Sequence, residues 1–334
     1  MGEERFFDFA SAKRAAAPLR MTMRVLLALL AVAAFAAAAR ARERDVILTT
    51  DCGAEIDDQF AVAYLALIPE IHVKAIVTTH APNLPMKAKS SAACVKDVLE
   101  HLNAAPLPPI FPGSDVPLTG RAPLENAGVD FIVRTARGYS RRNRLVIITI
   151  GATTDVASAF LLDPKLGDRV EVLTMGFDSW PKGGDPWNIK NDPLAYQVIL
   201  DSDAPITIGA SEVCQQHLRL TDQGAAQMLH GHGEFAEWLN GQFQQWLMAN
   251  AELAASVVKP HTWVIWDTVT VAHLLGFTTT ETRPRPALNL TDMSFSFPKT
   301  TKTVQWITSV DEQKMWPDFV RRLDVMKDPA TTRR

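Results

Sequence analysis

Cysteine is scarce in this chain, with three among 334 residues, and an excess of basic residues is missing, with 34 Lys and Arg against 37 Asp and Glu. Three cysteines, Cys52, Cys94 and Cys214, cannot all pair, and none forms a Cys-x-x-Cys spacing. That excludes a disulfide scaffold, a zinc ribbon and a dithiol redox motif. One bridge stays open in an oxidising compartment, with a buried free thiol expected of at least one of the three. A formal net charge of −3 provides no field for phosphate backbones, and no Lys/Arg-rich helix is interleaved with aromatics, so nucleic acid is not an expected partner. No repeat or low-complexity linker interrupts residues 45–330. What remains is 47% hydrophobic and 21% charged residues, enough to bury a large core as one big α/β domain or two smaller ones.

The first 41 residues are of a different kind. Arg20 and Arg24 precede an apolar run from Val25 to Ala39, which closes in Ala39-Arg40-Ala41. A charged start, an apolar centre and an Ala-x-Ala close predict a signal peptide over 1–41, with Met21 or Met23 a more ordinary start than Met1. The run is about fifteen residues, short of the roughly twenty that span a bilayer. The expectation is therefore an extracytoplasmic protein, periplasmic or secreted, without stable membrane insertion once the peptide is cleaved. The domain is expected over 42–334.

The organising stretch is Thr49-Thr50-Asp51-Cys52-Gly53-Ala54-Glu55-Ile56-Asp57-Asp58-Gln59, between an apolar run, Val46 to Leu48, and a helical one, Phe60 to Leu67. Strand, acidic loop and helix follow in order. Crowded carboxylates repel one another unless a cation or a helix N-terminus compensates. Gly53 admits backbone conformations closed to other residues, so Asp57 and Asp58 can turn back toward Asp51 around a common point, where calcium takes such oxygens. The plainer reading is that Asp57 or Asp58 caps the helix and Asp51 is a solvated turn residue.

Downstream, strands are expected at Ile71 to Thr79, Leu145 to Ile150, Val170 to Met175, Ile206 to Ile208 and Thr303 to Ile307. Helices are expected over Lys87 to Leu102, Phe235 to Leu253, Val269 to Leu275 and Trp316 to Met326. A Gly/Pro/Trp-rich loop covers Gly176 to Asn191, and structureless loops of that length are usually functional. Beyond Gly276 the periodicity weakens. Alternating strands and helices imply an α/β fold with an open, mostly parallel central sheet flanked by helices, whose ligands sit at the carboxyl ends of the strands.

The order of motifs resembles that of the nucleoside hydrolases, the inosine-uridine preferring family. Asp-x-Gly followed by Asp-Asp is similar to the family's opening motif, and Asn83 to its ribose-contacting Asn. Pro112 to Leu118 resembles its Gly-x-x-x-Pro-Leu segment, and Gly151-Ala152-Thr153-Thr154-Asp155 its Gly-Pro-Leu-Thr-Asn turn. Trp187-Asn188, with the following Asp192-Pro193, resembles its Glu-Phe-Asn segment, and Trp266-Asp267 stands where the family has His-Asp. The resemblance implies that Asp51, Asp58, Asp267 and the Thr154 carbonyl hold Ca²⁺, with Asp51 the general base. Asp57, Asn83 and Asn188 would hold ribose hydroxyls, and Trp187 could stack on base or sugar.

Departures accompany the matches. Thr49 replaces a common Asp, Cys52 a Pro, Asp155 an Asn, Pro186 the 5′-hydroxyl-binding Glu, and Trp266 the His similar to a leaving-group acid. The loop is also two residues longer than its shortest form, adding Glu55. His80, His261 and His273 have no partner readable from spacing and are read as structural histidines. The favoured function is an exported, calcium-dependent hydrolase of the N-glycosidic bond of ribonucleosides or related ribosides; the alternative is a nucleoside- or sugar-binding protein of the same fold with weak or no turnover. A homodimer or homotetramer is compatible with either.

Overall fold

The computed structural model describes residues 43–81, 86–185 and 187–327. The predicted signal peptide, Asn83 and Pro186 lie outside the described residues. The described residues from Arg44 to Lys327 form one compact unit.

Strands β1 (Arg44–Thr50), β2 (Ile71–Thr78), β3 (Ile110–Pro112), β4 (Leu145–Ile150), β5 (Val170–Met175) and β6 (Ile206–Gly209) alternate with helices, as the periodicity predicts. Short pairs follow, β7 (Arg219–Thr221) with β8 (Thr262–Val264) and, after β9 (Thr278–Pro284), β10 (Ala287–Leu288) with β11 (Phe295–Ser296); β12 (Thr303–Val310) returns to the main sheet. That sheet has eight strands in the order β3-β2-β1-β4-β5-β6-β12-β9, parallel except for the antiparallel edge pair β12 and β9. β9 carries no apolar alternation. It reads Thr-Thr-Thr-Glu-Thr-Arg-Pro, an edge strand half open to water and ending in Pro284, which cannot donate to a ladder. Hydrophobic periodicity therefore did not reveal it.

Successive side chains of a strand point to opposite faces, and here both faces are covered. Leu48, Val146 and Ile148 join one core, which includes Phe60, Tyr64 and Phe319; Ile47, Ile147 and Val172 join the other, with Val156, Tyr196 and Trp306. The helix Asp57–Ala66 is buried nearly all round because it lies between the sheet and the C-terminal helix Glu312–Lys327, where the Tyr64 hydroxyl donates to Asp318 at 2.9 Å. The C-terminal helix begins a turn before its expected start, with Asp311 accepting from the Lys314 amide. The long helix expected from Phe235 is two, Glu234–Ala249 and Ala251–Val257, separated at Asn250.

Strand order sets the position of the site. β1 lies between β2 and β4, so the chain leaves β1 in one direction across the sheet and comes back on its other side. The crevice between the carboxyl ends of β1 and β4 is the topological switch point of the sheet, the place where ligands of such sheets bind. Asp51 follows β1 there, and Gly151 follows β4. A Cβ on Gly151 would lie 2.8 Å from Asp51 Oδ1 and 2.9 Å from the Asp51 amide nitrogen, so only glycine permits this approach.

Candidate active site

The acidic loop is built by short-range contacts. The Thr50 hydroxyl donates to Asp58 Oδ1 and accepts from the Cys52 amide at 3.1 Å, while the Ala54 amide closes a turn on the Asp51 carbonyl at 3.0 Å. Gly53 takes a φ of +93°, a conformation that L side chains rarely adopt. Cys52 is bonded to Cys94 on the helix Ala88–His101, which ties the loop to a neighbouring helix; Cys214 is a buried free thiol. Asp57 and Asp58 occupy the first turn of the helix Asp57–Ala66, where the unpaired amides and the helix dipole favour anions.

Asp267, more than two hundred residues along, stands at the entrance of the helix Thr268–Leu274 and turns its amide toward Asp57 Oδ2 at 3.4 Å. Ligand oxygens of Asp57, Asp58 and Asp267 all lie within 4.8 Å of one another, so the three together can hold a metal ion. Asp51, Asp57, Asp58 and Asp267 are each at most 5% exposed. Burial, followed by the charges of its acidic neighbours, pushes Asp51 up to about 8 and holds Asp58 and Asp267 well above the carboxylate range. Asp57 rises to about 7 through burial, opposed by backbone and side-chain hydrogen bonds. Four buried acids with no cation among the described residues around them cannot all be ionised cheaply. Asp57 Oδ1 is buried and has no hydrogen-bond partner among the described residues. That orphaned oxygen and the donor set, all hard carboxylates, fit a hard divalent cation.

The cluster forms one wall of a cleft of about 180 Å³. The same cleft is lined by Met175 and Asp178 after β5, Trp187 and Asn188 from the long loop, Ser211 and Gln215 after β6, Val257, and Trp266 beside Asp267. The long loop is not structureless. The Asp185 carboxylate, 2% exposed, accepts from the Phe177, Trp187 and Ile189 amides at 3.2, 2.7 and 3.4 Å, and Asn188–Asn191 forms a helical turn. Burial pushes Asp185 up to about 7. Asn188 lines the cleft and donates to the Met175 carbonyl at 3.4 Å.

The expected residues are thus distributed unevenly. Asp51, Asp57, Asp58, Trp187, Asn188 and Asp267 line one cleft. The trio that could hold a metal contains Asp57, expected at the ribose, whereas Asp51 lines the same cleft outside the trio. Thr154 is buried at the start of the helix Thr154–Leu162: its carbonyl accepts from Ser158 Oγ at 2.8 Å and its hydroxyl donates to Asp192 Oδ2 at 2.6 Å, and it does not line the cleft among the described residues. His80 Nδ1 donates to the Ser114 carbonyl at 3.0 Å, His261 sits against Asp222 and His273 against Thr278, all away from the cleft lining. Trp180, in the same long loop, packs on Phe297 and Trp306. Sequence reading missed Asp178, Asp185, Gln215 and Val257. Asp185, in a Gly-Gly-Asp-Pro loop, was the one with a signal, being one residue before the place where the resemblance puts a Glu.

A curated pyrimidine-specific ribonucleoside hydrolase of Escherichia coli is 22% identical to this chain over 200 residues, covering 52% of this chain and 63% of that protein. Its counterpart in Salmonella schwarzengrund is 23% identical over 193 residues, covering 49% and 59%. The chain spans about three fifths of the length of these curated relatives. Among solved structures, a purine-preferring ribonucleoside hydrolase from Gardnerella vaginalis shares the fold with a TM-score of 0.70 at 20% identity, over 86% of this chain and 100% of that one. A plant nucleoside hydrolase does so with a TM-score of 0.69 at 16% identity, over 84% and 99%. The family described as inosine-uridine preferring nucleoside hydrolase matches residues 46–317, most of the chain, and this protein belongs to it.

Proposed function

We propose that this protein is an exported, calcium-dependent hydrolase that cleaves the N-glycosidic bond of ribonucleosides or related ribosides to ribose and free base. The observation that carries the reading is the convergence of Asp57, Asp58 and Asp267 beside Asp51 at the switch point of the sheet. Calcium there, held by Asp58 and Asp267 with a further oxygen from Asp51 or Asp57, would supply a Lewis-acidic centre that polarises water and sugar hydroxyls. Asp51, buried in the same wall, takes the proton of the attacking water. Asp57 Oδ1, without a partner among the described residues, and Asn188 accept and donate to ribose hydroxyls, with Asn83 expected to join them. Positive charge growing on the sugar ring is stabilised by the surrounding carboxylates. Trp187 offers an apolar surface to ring or base. The Cys52–Cys94 disulfide supports an oxidising, extracytoplasmic location.

A second reading, ligand binding with little turnover, is favoured by one observation. Trp266 occupies the place of the family's His, and no Lys, Arg or His lines the cleft among the described residues. Release of base from a panel of purine and pyrimidine nucleosides, before and after chelation and calcium add-back, separates the two. Calcium-restored turnover is expected, and binding without base release would overturn the hydrolase.

A further inference from the structure

Three of the carboxylates in the cleft are not needed for the metal trio or for the base, namely Glu55, Asp178 and Asp185. Glu55 belongs to the lengthened acidic loop, and its Oε1 is shielded from solvent without a hydrogen-bond partner among the described residues. Asp185 is anchored by three amides, so its position is set by the loop. Asp178 is exposed. Seven acidic side chains line the cleft, with no basic side chain among the described lining residues. Low-dielectric walls of one charge focus their field and concentrate ions of opposite sign. Trp187 and Trp266 line the same cleft, and a desolvated cation gains from an indole face.

We propose that this cleft prefers ribosides whose leaving group is already cationic, the class of N-ribosyl pyridinium ions and N7-alkylated purine ribosides, over neutral nucleosides. The inference rests on the hydrolase reading. A neutral base must be protonated as it departs or carry negative charge, and the His that resembles the family's donor is Trp266 here. A quaternary ring nitrogen needs no such proton. Water adds at C1′ and gives its proton to Asp51; the C1′–N bond breaks, its electron pair stays on the ring nitrogen, and the heterocycle leaves neutral. The products are ribose, the heterocycle and one proton. The substrate's positive charge meets the exposed Asp178 carboxylate and the indoles of Trp187 and Trp266 on entry and is lost at the moment of cleavage, which favours product release.

The test compares nicotinamide riboside, as the pyridinium probe, with inosine, uridine and neutral 4-nitrophenyl riboside on the calcium-loaded protein. The nitrophenyl compound controls for leaving ability without charge. Expected is a kcat/KM for the pyridinium riboside about 10-fold or more above inosine and uridine, falling roughly 3- to 10-fold as ionic strength rises from low to about 0.5 M, while the nitrophenyl value changes little. Asp178→Asn should lower kcat/KM by a larger factor on the pyridinium than on the nitrophenyl substrate, mainly through KM, and Asp178→Glu should restore the ratio. Turnover of the nitrophenyl riboside with no pyridinium preference or no differential salt effect overturns this inference and leaves the hydrolase intact. Inosine cleaved as well as the pyridinium riboside would also overturn it, pointing to an acid such as Glu55 at the leaving group. No turnover of any substrate with calcium present overturns the hydrolase reading and this one with it.

Discussion

The two groups of side chains that line the cleft, at the proposed sugar end and the proposed leaving-group end, are built on different principles. At the sugar end, Asp51, Asp57, Asp58 and Asp267 are almost completely buried, come from the switch-point loop and one helix start, and are held by the Thr50 hydroxyl, a helix first turn and a disulfide. The other group, Trp187, Trp266, Val257, Gln215 and Asp178, comes from loops and helix ends and would meet substrate through shape and field. Charge compensation in a buried site tolerates little change, because one missing carboxylate leaves its partners mismatched. An apolar wall tolerates substitution as long as its volume suits some ligand. Family resemblance accordingly survives at the sugar end, while the leaving-group end departs from it.

The comparison breaks most sharply at Asp58. Asp58→Ala should remove bound calcium, measured by elemental analysis, and lower turnover by about 10³-fold or more, since the charge stabilisation lost is worth several kcal/mol. Retained calcium in this variant would place the ion elsewhere. Asp51→Asn should keep the ion and the fold but lose about 10²- to 10⁴-fold in kcat, the range for a general base. Steady-state kinetics with a calcium titration distinguish these two variants, and equal loss of ion in both would make Asp51 a ligand before a base.

At the other end the expected effect is smaller and of opposite sign. Trp266→His should raise kcat on inosine roughly 10-fold by restoring a proton donor, with less than about 2-fold change on 4-nitrophenyl riboside. A fall on both substrates would show that the indole carries a packing role against Trp263, whose ring it meets edge-on at 6.2 Å.

The smallest effect concerns stability. Asp51 and Asp57 have folded-state values of about 8 and 7, raised from an ordinary carboxyl near 3.8. The native state therefore holds protons that the unfolded chain releases, and this contribution is complete below about pH 4 and is lost as pH rises through 7 to 8. Chelated protein should show a Tm falling by several degrees from pH 5 to 8, and calcium should flatten that slope by taking the protons' place. A Tm that rises with pH in chelator would contradict the electrostatics of the sugar end.

Much of the fold could be read from one strand of evidence, the period of the apolar residues. The run Leu145 to Ile150 reads as a buried strand because both of its faces are covered, and Asp192-Pro193 reads as a helix start because Asp192 caps the Ala195 amide. The edge strand β9 escaped because its residues face water, and the break at Asn250 escaped because helical residues flank it. In the site, Asp51, Asp57 and Asp58 were legible as a group, being neighbours in sequence whose mutual repulsion demands compensation. Asp178 was not, since a single Asp in a loop has no local feature that distinguishes it from a turn residue, and Asp185 carried only its place next to the resemblance's Glu.

By itself the sequence determined the alternation of strands and helices and the acidic turn after the first strand, because those depend on residues a few positions apart and on backbone hydrogen bonding that each segment satisfies locally. Only the tertiary structure decided that Asp267 meets Asp57 across 210 positions, that Cys52 pairs with Cys94 rather than Cys214, and that seven carboxylates share one cleft. Those juxtapositions follow from strand order. The chain returns beside β1 at β4, and the crevice so formed gathers side chains that no periodicity along the sequence connects.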